Sequence, residues 1–143
     1  MEAAGAAPDP LAAVPYFSGL TPAQRSRIAR GARRMGVIAG QTLFVEGEPC
    51  AGLYVLQRGL VKLFKTSADG REQVLRHMEA GDSFNDVPVF DGGVNPVSAA
   101  AVDDGELMVL SRESILDVMR EYPAVAEAVV RVFASRLRHL VAL

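Results

Sequence analysis

The sequence is poor in the residues that build redox and metal centres. Cys50 is the single cysteine among 143 residues, so one chain holds neither an internal disulfide nor a cage of several cysteines around zinc or an iron–sulfur cluster. Metal enzymes that cluster three histidines are disfavoured as well, because His77 and His139 are the only two histidines and lie far apart in the sequence. We therefore predict no metal site and keep His77 and His139 only as weak candidates for an axial haem ligand.

Long apolar stretches are also missing. No run approaches the roughly 18 apolar residues that a membrane span needs, and the first ten residues carry acid where a signal peptide has a basic start. We expect a cytoplasmic protein with no membrane partner. The Ala/Gly/Pro composition predicts a flexible tail over residues 1–14. No nucleophile elbow, phosphate loop or paired catalytic carboxylates occur, so we expect no enzymatic activity.

The most informative absence is that of lysine and arginine between His77 and Ser111. Seven acidic residues fall within this window, whose central part, residues 85–104, reads NDVPVFDGGVNPVSAAAVDD. A buried phosphate needs a paired cation, because breaking a buried ion pair typically loses about 3–5 kcal/mol. The net charge of −2 likewise does not suggest that the chain wraps nucleic acid by itself. The window therefore has glycine turns like those of a small-molecule binding site, but it lacks the positive charge that an anionic ligand needs.

The pattern of residues predicts one helix followed by a β-rich region. Thr21 and Gln24 form a capping box, and the helix that they begin is predicted to run through Met35 with five arginines along it. From Gly36 to Ser111, short apolar runs alternate with glycines at intervals of 11 to 13 residues, which is typical of an antiparallel sandwich or barrel. Asp69-Gly70 predicts a primed hairpin turn there.

Helical periodicity returns after Ser111, and Pro123 is suited to the first turn of a last helix. Val125, Val129 and Val132 supply one apolar flank for packing on the chain's own barrel. A second apolar row, spaced 4, 3, 4 and 3 residues apart, is typical of a coiled-coil seam and predicts a homodimer: Ala126, Val130, Phe133, Leu137 and Leu140. The sequence stops within this pattern and without a C-cap, so we expect a domain cut from something longer.

Two strings carry a family resemblance: LFVEGEPCAGLYVLQRGLVKLFKTSADGREQVLRHMEAGDSFND and LSRESILDVMREYPAVAEAVVRVFASRLRHL. Together, and in this order, they resemble the effector domain of the Crp/Fnr (cyclic-AMP receptor) superfamily of bacterial transcription regulators over about residues 15–143. The resemblance implies a mainly β fold with flanking helices, a double-stranded β-helix or jelly-roll. It implies a cyclic nucleotide-binding-like domain at 15–122 and the start of a dimerisation helix at 123–143. The family's DNA-binding helix-turn-helix domain is absent from this chain, so DNA would be contacted only through that domain.

The resemblance also assigns places in the effector pocket. In cyclic-nucleotide-binding relatives a glutamate after the GD turn binds the ribose, and an arginine about a dozen residues later neutralises the cyclic phosphate. Here the glutamate's place falls to Asp86 and the arginine's place to Val97, so we expect no cyclic AMP or cyclic GMP bound in the usual way. The candidate pocket residues are Asn85, Asp86, Val87, Val97, Ser98 and Ala99. Backbone N–H groups near Gly92 and Gly93 would recover part of the lost binding, and a distant arginine such as Arg136 would not occupy the usual position.

Several interpretations of the segment 85–104 stay open. It forms an apolar cavity for an unknown neutral effector, or a barrel core without a ligand, or it holds a cyclic nucleotide in an unusual way. The expected lining of the cavity is Val87, Val89, Phe90, Val94, Val97 and the alanines 99–101. Two functions are compatible with these interpretations: effector sensing and dimerisation for a Crp/Fnr-type regulator, or a stand-alone degenerate module for dimerisation or protein interaction. A helix-turn-helix domain encoded after Leu143 would favour the regulator over the module.

Overall fold

The computed structural model describes residues 9–142. Its strands are β1 Arg33–Val37, β2 Thr42–Phe44, β3 Leu53–Arg58, β4 Leu60–Thr66, β5 Glu72–Glu79, β6 Ser83–Phe84, β7 Ser98–Ala101 and β8 Gly105–Leu110. Its helices are a short 3₁₀ helix at Pro15–Phe17, α1 Pro22–Arg30, α2 Asp86–Asp91, α3 Arg112–Glu121 and α4 Pro123–Ala142.

The strands form two antiparallel sheets of four strands each. One sheet has the order β1-β8-β3-β6, and we call it the helix-side sheet; the other has the order β2-β7-β4-β5, and we call it the outer sheet. Buried side chains from both sheets meet in one apolar cluster, so the sheets face each other. This arrangement confirms the predicted mainly β jelly-roll with flanking helices.

Strands β3 and β8 are apolar on both faces because each face covers a different core. On β8, Leu107 and Val109 point into the space between the sheets, whereas Met108 and Leu110 point toward the helices. We call the first cluster the roll core and the second the helix-side core. The continuous apolar run of β8 follows from this double burial, since a strand with one wet face would alternate with polar residues.

Two sequence predictions about the N-terminal region are corrected. Helix α1 ends at Arg30 instead of continuing through Met35, because Gly31 closes the helix and β1 pairs with β8 along its whole length. The predicted tail over residues 1–14 is ordered from residue 9 onward: Leu11 and Val14 are fully buried in the helix-side core. Residues 1–8 of that predicted tail lie outside the described part.

The turn at Asp69-Gly70 connects β4 to β5 as predicted, but it is not a primed two-residue turn. Only Gly70 has a positive φ, +85°, and the Ser67 N–H donates to the Arg71 carbonyl to close a longer loop. Such a loop needs one left-handed residue instead of two.

The helices of the described chain are too short or too polar to cross a membrane. Over residues 9–142, none of them combines the length and the apolar character of a membrane span.

Candidate functional site

Asn85 turns the chain at the start of the cassette, the segment 85–97 between β6 and β7. It is buried and has the left-handed angles φ 66° and ψ 32°, the one non-glycine residue with positive φ in the described part of the chain. Its Nδ2 donates to the Asn95 Oδ1 at 3.0 Å, and the Asn95 Nδ2 donates to the Val45 carbonyl at 3.1 Å. The two amides therefore tie the ends of the cassette together and fix the direction in which α2 begins.

That direction places Asp86 on the helix side of the molecule. Asp86 is the first residue of α2 and only 7% exposed. Its Oδ2 accepts a hydrogen bond from the Tyr16 hydroxyl and another from the Arg136 Nη2 at 2.9 Å. Burial, together with the hydrogen bond to the Asp86 carboxylate, raises the pKa of Tyr16 far above its usual range. The residue in the place of the ribose-binding glutamate is thus already paired within the protein.

Arg136 reaches this carboxylate from α4, fifty positions further along the chain. Its guanidinium also lies over the Phe133 ring, 4.8 Å from the centroid. Burial alone would lower the pKa of Arg136, but the hydrogen bond and charge of Asp86 raise it. Sequence reasoning named Arg136 only as a distant cation and did not pair it with Asp86, because nothing in the local pattern links α2 to α4.

The other predicted pocket residues separate into two groups. Val97 and Ala99 pack in the roll core, Ala99 with no exposed surface. Ser98 is buried, and its Oγ accepts the Glu46 N–H at 2.9 Å. Val87, in contrast, is 43% exposed on α2. The structure therefore does not gather the six residues around one space.

The predicted lining of an apolar cavity needs a similar correction. Val89 and Phe90 belong to the helix-side core, and Val94 is 56% exposed. Their segment is a helix and a following loop instead of an inward-facing strand, so its apolar side chains turn toward the helices or toward solvent. Of the predicted set, those that pack in the roll core are Val97, Ala99 and Ala101.

Three rings occupy the roll core next to the cassette. The Phe44 and Tyr54 centroids lie 5.0 Å apart, and Tyr54 stacks on Phe84 at 5.5 Å. All three residues are at most 8% exposed. Their close packing means that an effector in this space would have to be small and apolar or displace a ring.

The N–H groups of the cassette loop are largely engaged. Three of them donate to protein oxygens: Gly92 to the Pro88 carbonyl at 3.0 Å, Gly93 to the Asp91 carboxylate at 2.7 Å, and Asn95 to the Glu48 carbonyl at 2.9 Å. Pro96 has no N–H to offer. The backbone donors that the sequence suggested near Gly92 and Gly93 are therefore not free to bind a phosphate.

Arg112 borders the cassette from just outside the window that lacks cations. Its guanidinium lies beside the loop, so that a Cβ added to Gly92 would meet its Nη2 at 3.4 Å. Its Nε is buried and has no hydrogen-bond partner among the described residues. Sequence reasoning missed this neighbour, although it follows Ser111 directly. It lies at the C-terminal end of α2, where a cation interacts favourably with the helix dipole.

Helix α4 presents apolar residues on two sides. Val125 and Val129 are 1% and 7% exposed in the helix-side core, and Val132 packs against the same core. On the predicted seam, three residues are more than 60% exposed: Val130, Leu137 and Leu140. The seam residues Ala126 and Phe133 are half-buried, and Phe133 packs edge-on against Phe90.

The two histidines lie away from the roll core. His77 is exposed on β5, in the outer sheet, and His139 is exposed on α4. Within residues 9–142, no group of three or more His, Cys, Asp or Glu side chains is arranged to hold a metal ion. Burial raises the pKa of the Cys50 thiol, which therefore stays protonated near neutral pH.

Comparison with known proteins identifies the type of domain. The profile of the cyclic nucleotide-binding domain family matches residues 37–122. The chain is 34% identical to the "Cyclic AMP receptor protein" of Thermus thermophilus, over 87% of its own length and 57% of that relative. It is 30% identical to the "CRP-like cAMP-activated global transcriptional regulator" of Mycobacterium tuberculosis, over 90% of its own length and 57% of that relative. The chain thus spans a little over half of the curated relatives that it matches.

A solved structure of similar extent agrees with these relatives. The N-terminal domain of a transcriptional regulator from Streptomyces coelicolor superposes with a TM-score of 0.80 and 32% identity. The match covers 92% of both chains. The similarity therefore includes the helices that flank the roll as well as the roll itself.

Proposed function

Because the chain belongs to the cyclic nucleotide-binding domain family, as an effector domain of the Crp/Fnr type, we propose that it senses an effector and dimerises on behalf of a transcription regulator without binding cyclic AMP through the usual cassette. One observation carries the second part of this proposal. The cassette acid, Asp86, is paired with Arg136 and Tyr16 on the helix side, away from the roll core. The Asp86 side chain, which the family resemblance would assign to a ribose, therefore faces the helix-side core instead of the roll core.

Electrostatics supports the same conclusion. A cyclic phosphate carries a negative charge that needs either a cation or several free N–H donors. Val97 stands at the predicted place of the cation, and Gly93 donates its N–H to the Asp91 carboxylate instead. The guanidinium of Arg112 lies beside the loop, against Gly92 at the end of α2. Among the described residues of the roll core, no charged side chain is buried that would compensate a phosphate there.

The properties of the roll core support a neutral effector. Its members are aliphatic and aromatic, and β7 contributes to it only the small side chains of Ala99 and Ala101. Displacing one ring would open space for a compact apolar molecule. No cofactor is needed for such recognition. Haem bound by His77 or His139 is the less favoured alternative, because both histidines are exposed on surfaces outside the roll core.

The exposed seam of α4 supports dimerisation. Val130, Leu137 and Leu140 leave a row of apolar side chains on a helix whose other apolar flank already packs on its own domain. Burying such a row against a second copy removes apolar surface from water. By analogy with the family, DNA would be bound by a helix-turn-helix domain outside the described chain, in the cytoplasm, and the domain itself would have no catalytic role.

Tight packing of the roll core supports one alternative function. A core that already contains Phe44, Tyr54 and Phe84 in contact needs no ligand to be stable. On this alternative the domain is a degenerate module that acts only in dimerisation or protein interaction.

Native mass spectrometry of the purified domain tests both functions. We expect a dimer that carries a small neutral molecule, and a Leu137→Asp variant that is monomeric. Ser135→Asp is the matched control, because it places the same charge on an exposed position of α4 away from the seam. A dimer without any ligand, from cells and after incubation with a library of neutral metabolites, would favour the module. A native protein that is monomeric would contradict the dimer in either case.

A further inference from the structure

We propose that a groove at the edge of the helix-side sheet binds a small acidic zwitterion, a molecule with two carboxylate groups and one ammonium group such as an acidic α-amino acid. The groove has a volume of about 490 Å³, which is within the range of small-molecule sites. Residues of β1, β3 and β8 line it, and Pro10 borders it. None of its charged residues belongs to the candidate site described above. The inference therefore requires neither the proposed effector of the roll core nor the proposed dimer.

Three strands bring three charged side chains to this groove: Arg34, Arg58 and Glu106. In the strand register, Glu106 of β8 lies between Gly36 of β1 and Arg58 of β3. Arg34 lies opposite Met108, whose side chain packs in the helix-side core. Because residues two apart on a strand share a face, Arg34 and Glu106 lie on the same face of the sheet, beside that core.

The groove has a net positive charge that the described chain does not compensate. Within residues 9–142, neither Arg34 nor Arg58 lies within ion-pair distance of a carboxylate, and Glu106 has no cation at that distance. Two guanidinium groups and one carboxylate leave an excess of one positive charge. The surrounding sequence adds to this field, because residues 10–45 contain five arginines, Arg34 among them, and no acid.

Gly36 keeps the groove open between the charges. A Cβ added at Gly36 would meet only the Gly105 carbonyl oxygen, at 4.0 Å. Gly36 is not one of the glycines with positive φ, so a β-branched residue is compatible with its place in β1. Such a side chain would stand opposite Glu106, in the space that a ligand would occupy. The lack of a side chain at this position therefore leaves room for a ligand.

The charges in the groove define the chemistry of the ligand. A guanidinium group binds a carboxylate through two parallel hydrogen bonds, so two arginines favour a ligand with two carboxylates. A plain dicarboxylate would also face the carboxylate of Glu106, which repels it. An ammonium group on the ligand removes this repulsion by pairing with Glu106. The resulting ligand has one net negative charge, which matches the one net positive charge of the groove.

An NMR titration of the isotope-labelled protein tests the site with two probes, L-glutamate and glutarate. Glutarate has the same two carboxylates on a chain of the same length but lacks the ammonium group. At low salt we expect L-glutamate to bind with a Kd of about 1 mM and glutarate to bind about tenfold more weakly. The amides whose signals shift should be those of residues 34–36, 57–58 and 105–107.

Charge variants separate the roles of the three side chains. Arg34→Gln and Arg58→Gln should each weaken the binding of L-glutamate about tenfold, because each removes a charged hydrogen-bond partner. Glu106→Gln should make L-glutamate and glutarate bind equally, because the carboxylate that distinguishes them is gone. The matched control is Arg71→Gln, which removes the same charge from the turn between β4 and β5, where the side chain is 88% exposed. This control should leave the binding of both probes unchanged.

A steric variant tests the groove without changing its charge. Gly36→Val should abolish the binding of both probes, and signals outside the groove that match those of the parent will show that the fold is kept. No shift of the groove amides at about 50 mM L-glutamate would overturn the proposal. Equal affinities of the parent for the two probes would overturn it as well, because Glu106 would then not act on the ligand.

Two further outcomes would replace the groove by a general attraction between charges. One is an equal loss of L-glutamate binding in Arg34→Gln and Arg71→Gln. The other is a hexaglutamate peptide that binds the parent and Gly36→Val with the same affinity, which would assign the arginines to a docking surface for an acidic protein. Either result would contradict a site for a small molecule.

Discussion

The two apolar cores differ in how they use charge. The roll core, between the sheets, is filled by aliphatic and aromatic side chains, and in the described part of the chain no charged residue is buried there. The helix-side core has a buried carboxylate, Asp86, at its edge, together with the hydroxyl of Tyr16 and the guanidinium of Arg136. The family resemblance implies that the cassette acid binds a ligand. Here Asp86 instead accepts hydrogen bonds from Tyr16 and Arg136 of the same chain.

This difference has a physical reason. Val97 is apolar and packs against the roll core, so an anion in that core would have no cation at position 97. An acid that remained there would be costly, because a buried carboxylate needs a cation or several donors. The left-handed Asn85 turns Asp86 to the opposite face, where Arg136 is available. The turn at Asn85 thus keeps the carboxylate out of the roll core and places it beside Arg136.

The largest expected effect is on the roll core. Phe84→Ala should lower the free energy of unfolding by about 3–5 kcal/mol, because Phe84 is 3% exposed and contacts two other rings. Urea denaturation measures the loss. The control is Val74→Ala on β5, where the side chain is 42% exposed and a change of about 0.5 kcal/mol or less is expected. If Phe84→Ala lowered the free energy of unfolding no more than the control does, the rings would not be closely packed and the roll core would already contain a cavity.

A smaller effect is expected at the edge of the helix-side core. Asp86→Asn should lower the free energy of unfolding by about 2 kcal/mol, less than for a fully buried pair because Arg136 is half-exposed. Asp117→Asn should change it by about 0.5 kcal/mol or less. Thermal or urea unfolding of the two variants measures the difference. Equal losses would remove the contrast between the charged and the uncharged core.

The smallest effect concerns the N-terminal segment that packs on the helix-side core. The Arg25 side chain, with its Nε 2.7 Å from the Asp9 Oδ2, holds the pKa of the Asp9 carboxyl below its usual value. A lowered folded-state pKa stabilises the fold above the unfolded pKa, and this stability is lost as the pH falls through the folded pKa. Asp9→Asn should therefore cost about 1 kcal/mol or less at pH 7 and nothing near pH 2, as measured by urea unfolding at both values. If Asp9→Asn lowered the free energy of unfolding by the same amount at both pH values, the ion pair would not be the cause of the loss.

The sequence predicted most of the fold because the fold depends on local patterns. Regular glycine spacing and apolar runs predicted the β-rich region from Gly36 to Ser111, which contains β2 to β8, and the capping box at Thr21, the periodicity after Ser111 and Pro123 predicted the starts of α1, α3 and α4. The pattern missed β1, since Arg33–Val37 is rich in arginine and is stabilised by pairing with β8. It also missed α2, whose six residues contain a proline and are too few for a periodic signal.

The candidate site was predicted less well, because it depends on backbone direction and on long-range contacts. The absence of a cation in the cassette is a property of the sequence and needed no structure. The direction of Asp86 depends on the left-handed angles of Asn85, which the asparagine tolerates but does not require. The pairing of Asp86 with Arg136 depends on where α4 crosses α2. Burial of Leu11 and Val14 was hidden by the alanines and prolines around them.

Calorimetric titration with cyclic AMP tests whether the missing cation at position 97 prevents cyclic-nucleotide binding. The titration compares the parent protein with Val97→Arg, and Val102→Arg is the control outside the cassette. We expect no binding to the parent or to Val102→Arg at up to about 1 mM ligand, and measurable binding to Val97→Arg, because that change supplies the missing cation. Binding of cyclic AMP to the parent protein with a Kd in the micromolar range or below would contradict this expectation, since the cyclic phosphate would then be bound without a cation at position 97.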